Sequence, residues 1–172
     1  TNVIQSFPNT NPSANATDLA DLTATNSGGT PVSGLTHGYS VTAAGATIEK
    51  FAYTSTANAT LVGNLPNTHD GSGGGGATDS TGDYGYVAGG GTPTVNHIDR
   101  FSFANETTTD DVGDVTAVSG AAAGASSETH GYFLGAGNLF TNLDKYIFAS
   151  SANATDVGNL PHGVSLWGGG GT

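Results

Sequence analysis

The feature that most constrains this chain is a unit written four times. Its clearest copy is Asn142-Leu-Asp-Lys-Tyr-Ile-Phe-Ala-Ser-Ser-Ala-Asn-Ala-Thr-Asp-Val-Gly-Asn-Leu160. The same pattern runs from Thr47-Ile-Glu-Lys-Phe-Ala-Tyr53 through Val62-Gly-Asn-Leu65, and from His97-Ile-Asp-Arg-Phe-Ser-Phe103 through Val112-Gly-Asp-Val115. A looser first copy is Val3-Ile-Gln-Ser-Phe7, followed by Asn15-Ala-Thr-Asp-Leu-Ala-Asp-Leu22. The anchors Ile4, Ile48, Ile98 and Leu143 lie 44, 50 and 45 residues apart. A period of that length marks a repeat architecture, in which each unit buries its apolar face against the next.

Each unit divides into four pieces. The first is rich in Gly and Ala: Gly71 to Ala77, Val118 to Ala125, Val164 to Gly171. The second is Thr36-His-Gly-Tyr39, echoed by Asp83-Tyr-Gly-Tyr86 and Thr129-His-Gly-Tyr132. The third alternates with period two, so Glu49, Phe51 and Tyr53 are expected on one face, opposite Ile48, Lys50 and Ala52. The fourth runs through Thr-Asp-Val-Gly. Among 172 residues, 28 are Gly and only 35% are hydrophobic, a composition that without a period would point to disorder. With one, it predicts short strands joined by glycine turns. No segment keeps a helical apolar stripe. The expected fold is all-β, a β-propeller of four-stranded blades. The repeats span about 1–22 (partial), 23–65, 66–115, 116–160 and 161–172 (partial), within one region covering 1–172.

The second and third pieces resemble the kelch repeat, with Tyr86-Val-Ala-Gly-Gly90 followed by Ile98-Asp-Arg-Phe101 as the best match. More narrowly, the series His-Gly-Tyr, Gly-Gly, Ile-Asp-Lys-Phe and Asn-Ala-Thr-Asp-Val-Gly resembles kelch-like repeats in virion structural proteins of marine bacteriophages. That resemblance implies a tail or surface-appendage protein, extracellular on a virion, whose partners are its own copies, other virion proteins and host-surface glycans. The chain departs from typical kelch blades where Val62, Val112 and Val157 replace a fourth-strand Trp.

The net charge is −11, with three basic residues. Phosphate binding needs clustered Lys and Arg, so nucleic acid is excluded as a partner and anionic membranes are disfavoured. No apolar run reaches the ~18 residues of a membrane span. Without Cys there are no disulfides, thiolate nucleophiles or Cys-zinc sites. The chain begins at Thr1 in the third piece and stops inside a first piece, with Leu160 to Gly171 matching Leu65 to Gly76. The expectation is a segment of a longer propeller, and the alternative is a closed four-bladed ring in which Thr1 to Phe7 pair with Val164 to Gly170.

The basic residues Lys50, Arg100 and Lys145 share one repeat position, each preceded by an acid, Glu49, Asp99 or Asp144. Neighbouring strand residues point to opposite faces, so the expectation is an inter-blade ladder in which each base reaches an acid on the next blade. Asn15, Asn58, Asn105 and Asn153 are sequon asparagines, possible acceptors of N-glycans. The structural alternative is a turn in which their side chains bond local backbone. His37 and His130, with Tyr84 in the equivalent place, are expected to pack and hydrogen-bond. The Asp70 and Asp79–Asp83 runs read as loops, and no metal or cofactor is expected. The glycine runs 73–76 and 168–171 read as close backbone packing near a propeller axis.

Phe51, Phe101 and Tyr146, with Phe7, are expected in the core between sheets. For function, the leading expectation is a non-enzymatic structural or adhesive module. The alternative is a lectin, with Tyr39, Tyr132 and Trp167 stacking on sugar rings between blades. A glycoside-active enzyme is the third class, weakened by a single Arg, no Cys and no nucleophile elbow.

Overall fold

A computed structural model of the chain describes residues 2–7, 14–25, 28–42, 45–69, 74–90, 94–119, 121–136 and 141–161. These form fourteen strands and no helix. β1 (Val3–Ser6) and β2 (Thr17–Asp21) make a two-stranded sheet, A. Three four-stranded antiparallel meanders follow. Sheet B holds β3 (Thr30–Ser33), β4 (His37–Val41), β5 (Thr47–Ala52) and β6 (Thr60–Asn64). Sheet C holds β7 (Gly75–Thr78), β8 (Tyr84–Ala88), β9 (Val95–Ser102) and β10 (Thr109–Ser119). Sheet D holds β11 (Ala121–Ser126), β12 (His130–Ala136), β13 (Asn142–Ile147) and β14 (Thr155–Asn159). Each of the four pieces read from the repeat is thus one strand of a meander.

The Asp-Val-Gly motif is a β-bulge. In every sheet the register slips by one residue at the same repeat position, skipping Leu19, Val62, Val112 and Val157. The extra residue bends the last strand and increases its twist. The glycine after it serves the bend: Gly113 has φ +149°, and a Cβ there would lie 2.7 Å from the Ala152 carbonyl oxygen of sheet D.

Small residues let the first strands of the sheets approach one another. A Cβ on Gly76 would meet the Pro31 carbonyl oxygen at 2.1 Å, and one on Gly124 would meet the Gly76 oxygen at 2.1 Å. The backbones of β3, β7 and β11 therefore lie closer than any side chain allows, and Gly76, of the run 73–76, packs closely as expected. Side-chain ties add to it, with Thr78 Oγ1 donating to Ser33 O (2.9 Å) and Thr78 N to Ser126 Oγ (2.8 Å).

The core lies between sheets. One cluster joins Tyr39, Ile48 and Leu65 of sheet B and its crossover to Val87 and Phe101 of sheet C, and the other joins Tyr86, Ile98 and Val112 of sheet C to Phe133 and Tyr146 of sheet D. Because both faces of a middle sheet are covered, Ile48 and Glu49 are both buried, although alternate residues point opposite ways.

Phe101 and Tyr146 are fully buried as expected, but two of their equivalents are not. Phe51 is only half-buried and Phe7 is 72% exposed. Phe101 and Tyr146 are each covered by a tyrosine from the second strand of the preceding sheet, Tyr39 or Tyr86. Sheet A, which precedes Phe51, offers no such strand among the described residues. Phe51 instead lies over Gly38, its cross-strand partner. Residues 162–172, including Trp167, and Thr1 lie outside the described residues, as does the pairing that would decide ring closure.

Candidate functional site

Two clefts repeat each other at successive sheet junctions. The first, about 360 Å³, lies between sheets B and C and is lined by His37, Tyr39 and Lys50 on one side and Asp83, Phe103 and Ala104 on the other. The second, about 400 Å³, lies between sheets C and D, with Tyr84, Tyr86 and Arg100 facing Thr129, Phe148 and Ala149. Position by position these are the same repeat residues. Both open on the end of the sheets that carries the turns between first and second strands and between third and fourth.

An aromatic stack forms the inner wall of each cleft. Tyr39 stacks on Phe103 with centroids 4.8 Å apart, and Tyr86 on Phe148 at 4.7 Å. Such contacts join adjacent sheets and add about 0.5–1.5 kcal/mol beyond area burial. Burial raises both phenols to about 12; Glu106 adds to the shift at Tyr39 and Asp79 at Tyr86.

The cations behave differently from one another. Lys50 Nζ reaches across the B–C junction to Glu106 Oε1 at 2.5 Å. Burial pushes the Glu106 carboxyl up, but the Lys50 bond, a backbone hydrogen bond and the Lys50 charge together outweigh it and hold the group below the usual carboxylate range. Arg100 instead bonds within its own sheet, to Asp110 Oδ2 at 2.7 Å, and its guanidinium lies 4.6 Å above the Tyr84 ring centroid. Burial opposes its charge, yet the Asp110 bond and the adjacent Tyr86 raise its proton affinity further. Lys145 makes no ion pair among the described residues. The predicted base-to-acid ladder is therefore corrected: of Lys50, Arg100 and Lys145, only Lys50 pairs across a junction among the described residues, and its acid is Glu106 in a turn rather than Asp99.

The acids of that position do a different job. Glu49, Asp99 and Asp144 are buried, and each accepts hydrogen bonds from the last strand of the preceding sheet or the residues that follow it. Thr23 Oγ1 donates to Glu49. Asn67 N and Nδ2 donate to Asp99 at 2.9 Å each, and His69 Nε2 lies 3.0 Å from it. Thr116 N and Oγ1 donate to Asp144 at 2.7 Å each. Buried carboxylates demand such partners. His69 is itself fully buried, with Nδ1 2.6 Å from Gly89 O. Sequence reasoning missed His69, Asn67, Thr23 and Thr116, since they stand outside the matched pieces.

The sequon asparagines are also corrected in part. Asn58 Oδ1 accepts from Asp21 N of sheet A (3.1 Å), and Asn153 Oδ1 from Asp114 N of sheet C (3.2 Å), so both clamp the preceding sheet instead of a local turn. The following residues join in: Ala59 N donates to Asp21 O and Ala154 N to Asp114 O, both at 2.8 Å. Asn105 sits in a local turn, but its Oδ1 accepts from the Thr107 hydroxyl at 2.7 Å, and the turn itself is closed by Thr108 N donating to Asn105 O at 2.9 Å. All four asparagines, Asn15 included, are exposed.

Of the residues expected to stack on sugars, Tyr39 is 3% exposed and packs between sheets, which removes it as a free platform. Tyr132, half-buried, is its equivalent in sheet D and pairs across strands with Lys145. His37 and His130 each place Nδ1 against the preceding Thr hydroxyl, at 2.8 and 2.7 Å. Asp79 Oδ1 caps its own turn, accepting from Asp83 N at 2.9 Å and Tyr84 N at 3.3 Å, while Asp70 lies outside the described residues. No cluster of three or more His, Asp or Glu suited to a metal ion occurs among the described residues.

These features define an all-β repeat protein whose antiparallel sheets are fastened in series. No protein-family model matches the chain, and no curated protein matches its sequence. Similar solved structures include a protein of unknown function from Bacteroides thetaiotaomicron, at TM-score 0.60 and 14% identity, covering 82% of this chain and 35% of that one. Another is the hydrazine synthase of Kuenenia stuttgartiensis, at TM-score 0.55 and 8% identity, covering 77% of this chain and 36% of that one. The chain thus spans about a third of the length of each. At such identities the likeness concerns the fold alone.

Proposed function

We propose that the chain is part of a kelch-like β-propeller with a non-enzymatic, structural and adhesive role on the surface of a virus particle, in a phage tail or other appendage. The observation that carries the reading is the serial fastening of sheets. At each junction a buried carboxylate holds the end of the preceding sheet, as Asp99 holds Asn67 just after β6 and Asp144 holds Thr116 in β10. Inter-sheet aromatic stacks and close backbone approach reinforce it. Such an array is rigid without disulfides, as a scaffold outside the cell requires. The partners in this reading are other virion proteins, other copies of the chain, and host-surface glycans. Particles purified from the source, analysed by mass spectrometry and labelled with gold-conjugated antibody, test it. Surface labelling supports the assignment, and absence of the protein from intact particles rejects it.

A carbohydrate-binding role is the second reading, favoured by the two repeat-equivalent clefts. They combine apolar walls with a few polar groups, the usual make-up of a small-ligand site. Glycan-array binding by the intact chain tests this reading separately from its place on a particle.

A further inference from the structure

We infer that the outer face of sheet D is the docking surface for sheet A of a second copy of this chain, joined by the contacts that fasten the sheets within one copy. The assignment rests on the structural reading, in which copies of the chain are partners, and gives them the surface through which they meet. Each internal junction has two halves. The leading half is a second-strand tyrosine beside a third-strand isoleucine: Tyr39 with Ile48 in sheet B and Tyr86 with Ile98 in sheet C, all at most 3% exposed. The trailing half is a third-strand ring of the next sheet, Phe101 on Tyr39 and Tyr146 on Tyr86.

Sheets A and D each carry one half without the other. Sheet D keeps the leading half as Tyr132 and Leu143, which are only half-buried because no further sheet covers them among the described residues. Sheet A keeps the trailing half as Phe7, at the repeat place of Phe101 and 72% exposed. The polar clamp is split in the same way. Asn58 and Ala59 grip Asp21 of sheet A, and Asn153 and Ala154 grip Asp114 of sheet C, each through an accepting Asn side chain and a donating Ala amide. Ala59 and Ala154 are buried in these clamps. Asn15 and Ala16 hold the same repeat places in sheet A, yet both are exposed. Asn159 of sheet D holds the place of Asp21 and Asp114.

Brought together, these halves complete one more junction: Phe7 lies on Tyr132, while Asn15 and Ala16 bond the Asn159 amide and carbonyl. Both apolar surfaces gain by leaving water. Phe7 and Ala16 are exposed in the structure, so sheet D of the same chain covers neither, and a second copy does. Gln5 stands where sheets B to D bury an acid, so this junction buries no carboxylate there. At physiological salt the Debye length is about 8 Å, which screens the −11 charge of each copy. The contact joins unlike surfaces, so it repeats into a ring or filament instead of stopping at a two-fold dimer.

The test is sedimentation velocity of the intact chain at physiological salt over a wide range of concentration. The sedimentation coefficient is expected to rise with concentration. Phe7→Asp blocks the face on sheet A and Tyr132→Lys the face on sheet D, and each is expected to weaken self-association roughly tenfold or more. Phe7→Asp should keep its melting temperature, because the ring is already exposed. Mixing the two blocked variants pairs the intact face of one with the intact face of the other, and a dimer with nothing larger is expected. That dimer also shows that Tyr132→Lys is folded. The chain has no Cys, so Phe7→Cys combined with Tyr132→Cys should give disulfide-linked multimers on oxidation. A chain monomeric at every concentration, variants that associate like the original, a mixture that does not pair, or a disulfide closed within one chain overturns the interface. A monomer still found on the particle surface leaves the structural reading standing and sinks this surface alone. Absence from particles sinks that reading whatever the sedimentation shows.

Discussion

The B–C and C–D junctions are built from the same repeat positions, yet only part of their chemistry is shared. Both stack a second-strand tyrosine on a phenylalanine of the next sheet, Tyr39 on Phe103 and Tyr86 on Phe148. Their polar fasteners diverge. The C–D junction uses Asn153 on Asp114 and Thr116 on Asp144, whereas the B–C junction has Thr108 at the place of Asn153 and relies on Lys50–Glu106 and on His69 and Asn67 around Asp99. An apolar contact needs shape at a given place, so the aromatic positions recur. A buried polar atom needs only some partner with good geometry, and different residues meet that need at each junction.

Removing the aromatic wall breaks what the junctions share. Phe101→Ala is expected to cost about 3–5 kcal/mol, because the ring is fully buried between two sheets. Denaturant unfolding measures it, and a loss under roughly 1 kcal/mol would take Phe101 out of the core.

Removing one carboxylate at each junction sharpens the contrast. Asp99→Ala strands a His69 ring nitrogen and both the amide and the side chain of Asn67, and about 3–5 kcal/mol is expected, at roughly 1–3 kcal/mol per orphaned group. Asp144→Ala strands only the Thr116 amide and hydroxyl, for about 1–3 kcal/mol. Equal losses for the two variants would abolish the distinction drawn between the junctions.

Alkaline titration probes both walls at once. Tyr39 and Tyr86 are raised from 10.0 to about 12, so the folded state keeps protons that the unfolded chain has released. The stabilisation is full below pH 10 and falls as pH rises toward 12, by on the order of 2 kcal/mol per tyrosine. Melting temperatures across that range check the sign. A Tyr86→Phe variant should lose part of the dependence.

The smallest effect tests interchangeability. Asn153→Ala should cost about 1 kcal/mol by leaving the Asp114 amide unanswered. Thr108→Asn should supply the missing clamp at the B–C junction and return up to a similar amount. A destabilised Thr108→Asn would show that the Lys50–Glu106 geometry excludes it.

Period and alternation in the chain determined the strands, their order within each sheet and the position of Phe101 and Tyr146, because backbone pairing and apolar burial act on local pattern. They also placed Tyr39, Tyr86, Lys50 and Arg100 at equivalent positions. What each polar side chain meets was left to the tertiary structure. Lys50 and Arg100 hold the same repeat place, but one spans a junction and the other folds back, since Glu106 is present on one neighbouring turn and replaced by Ser151 on the next. Asn58 and Asn153 sit in turn-like sequence, and only the approach of the preceding sheet turns them into clamps. The same holds for Phe7, whose repeat position matches that of buried Phe101 while its ring is 72% exposed. Burial needs a neighbouring sheet to cover the ring, and local sequence does not specify which sheets meet.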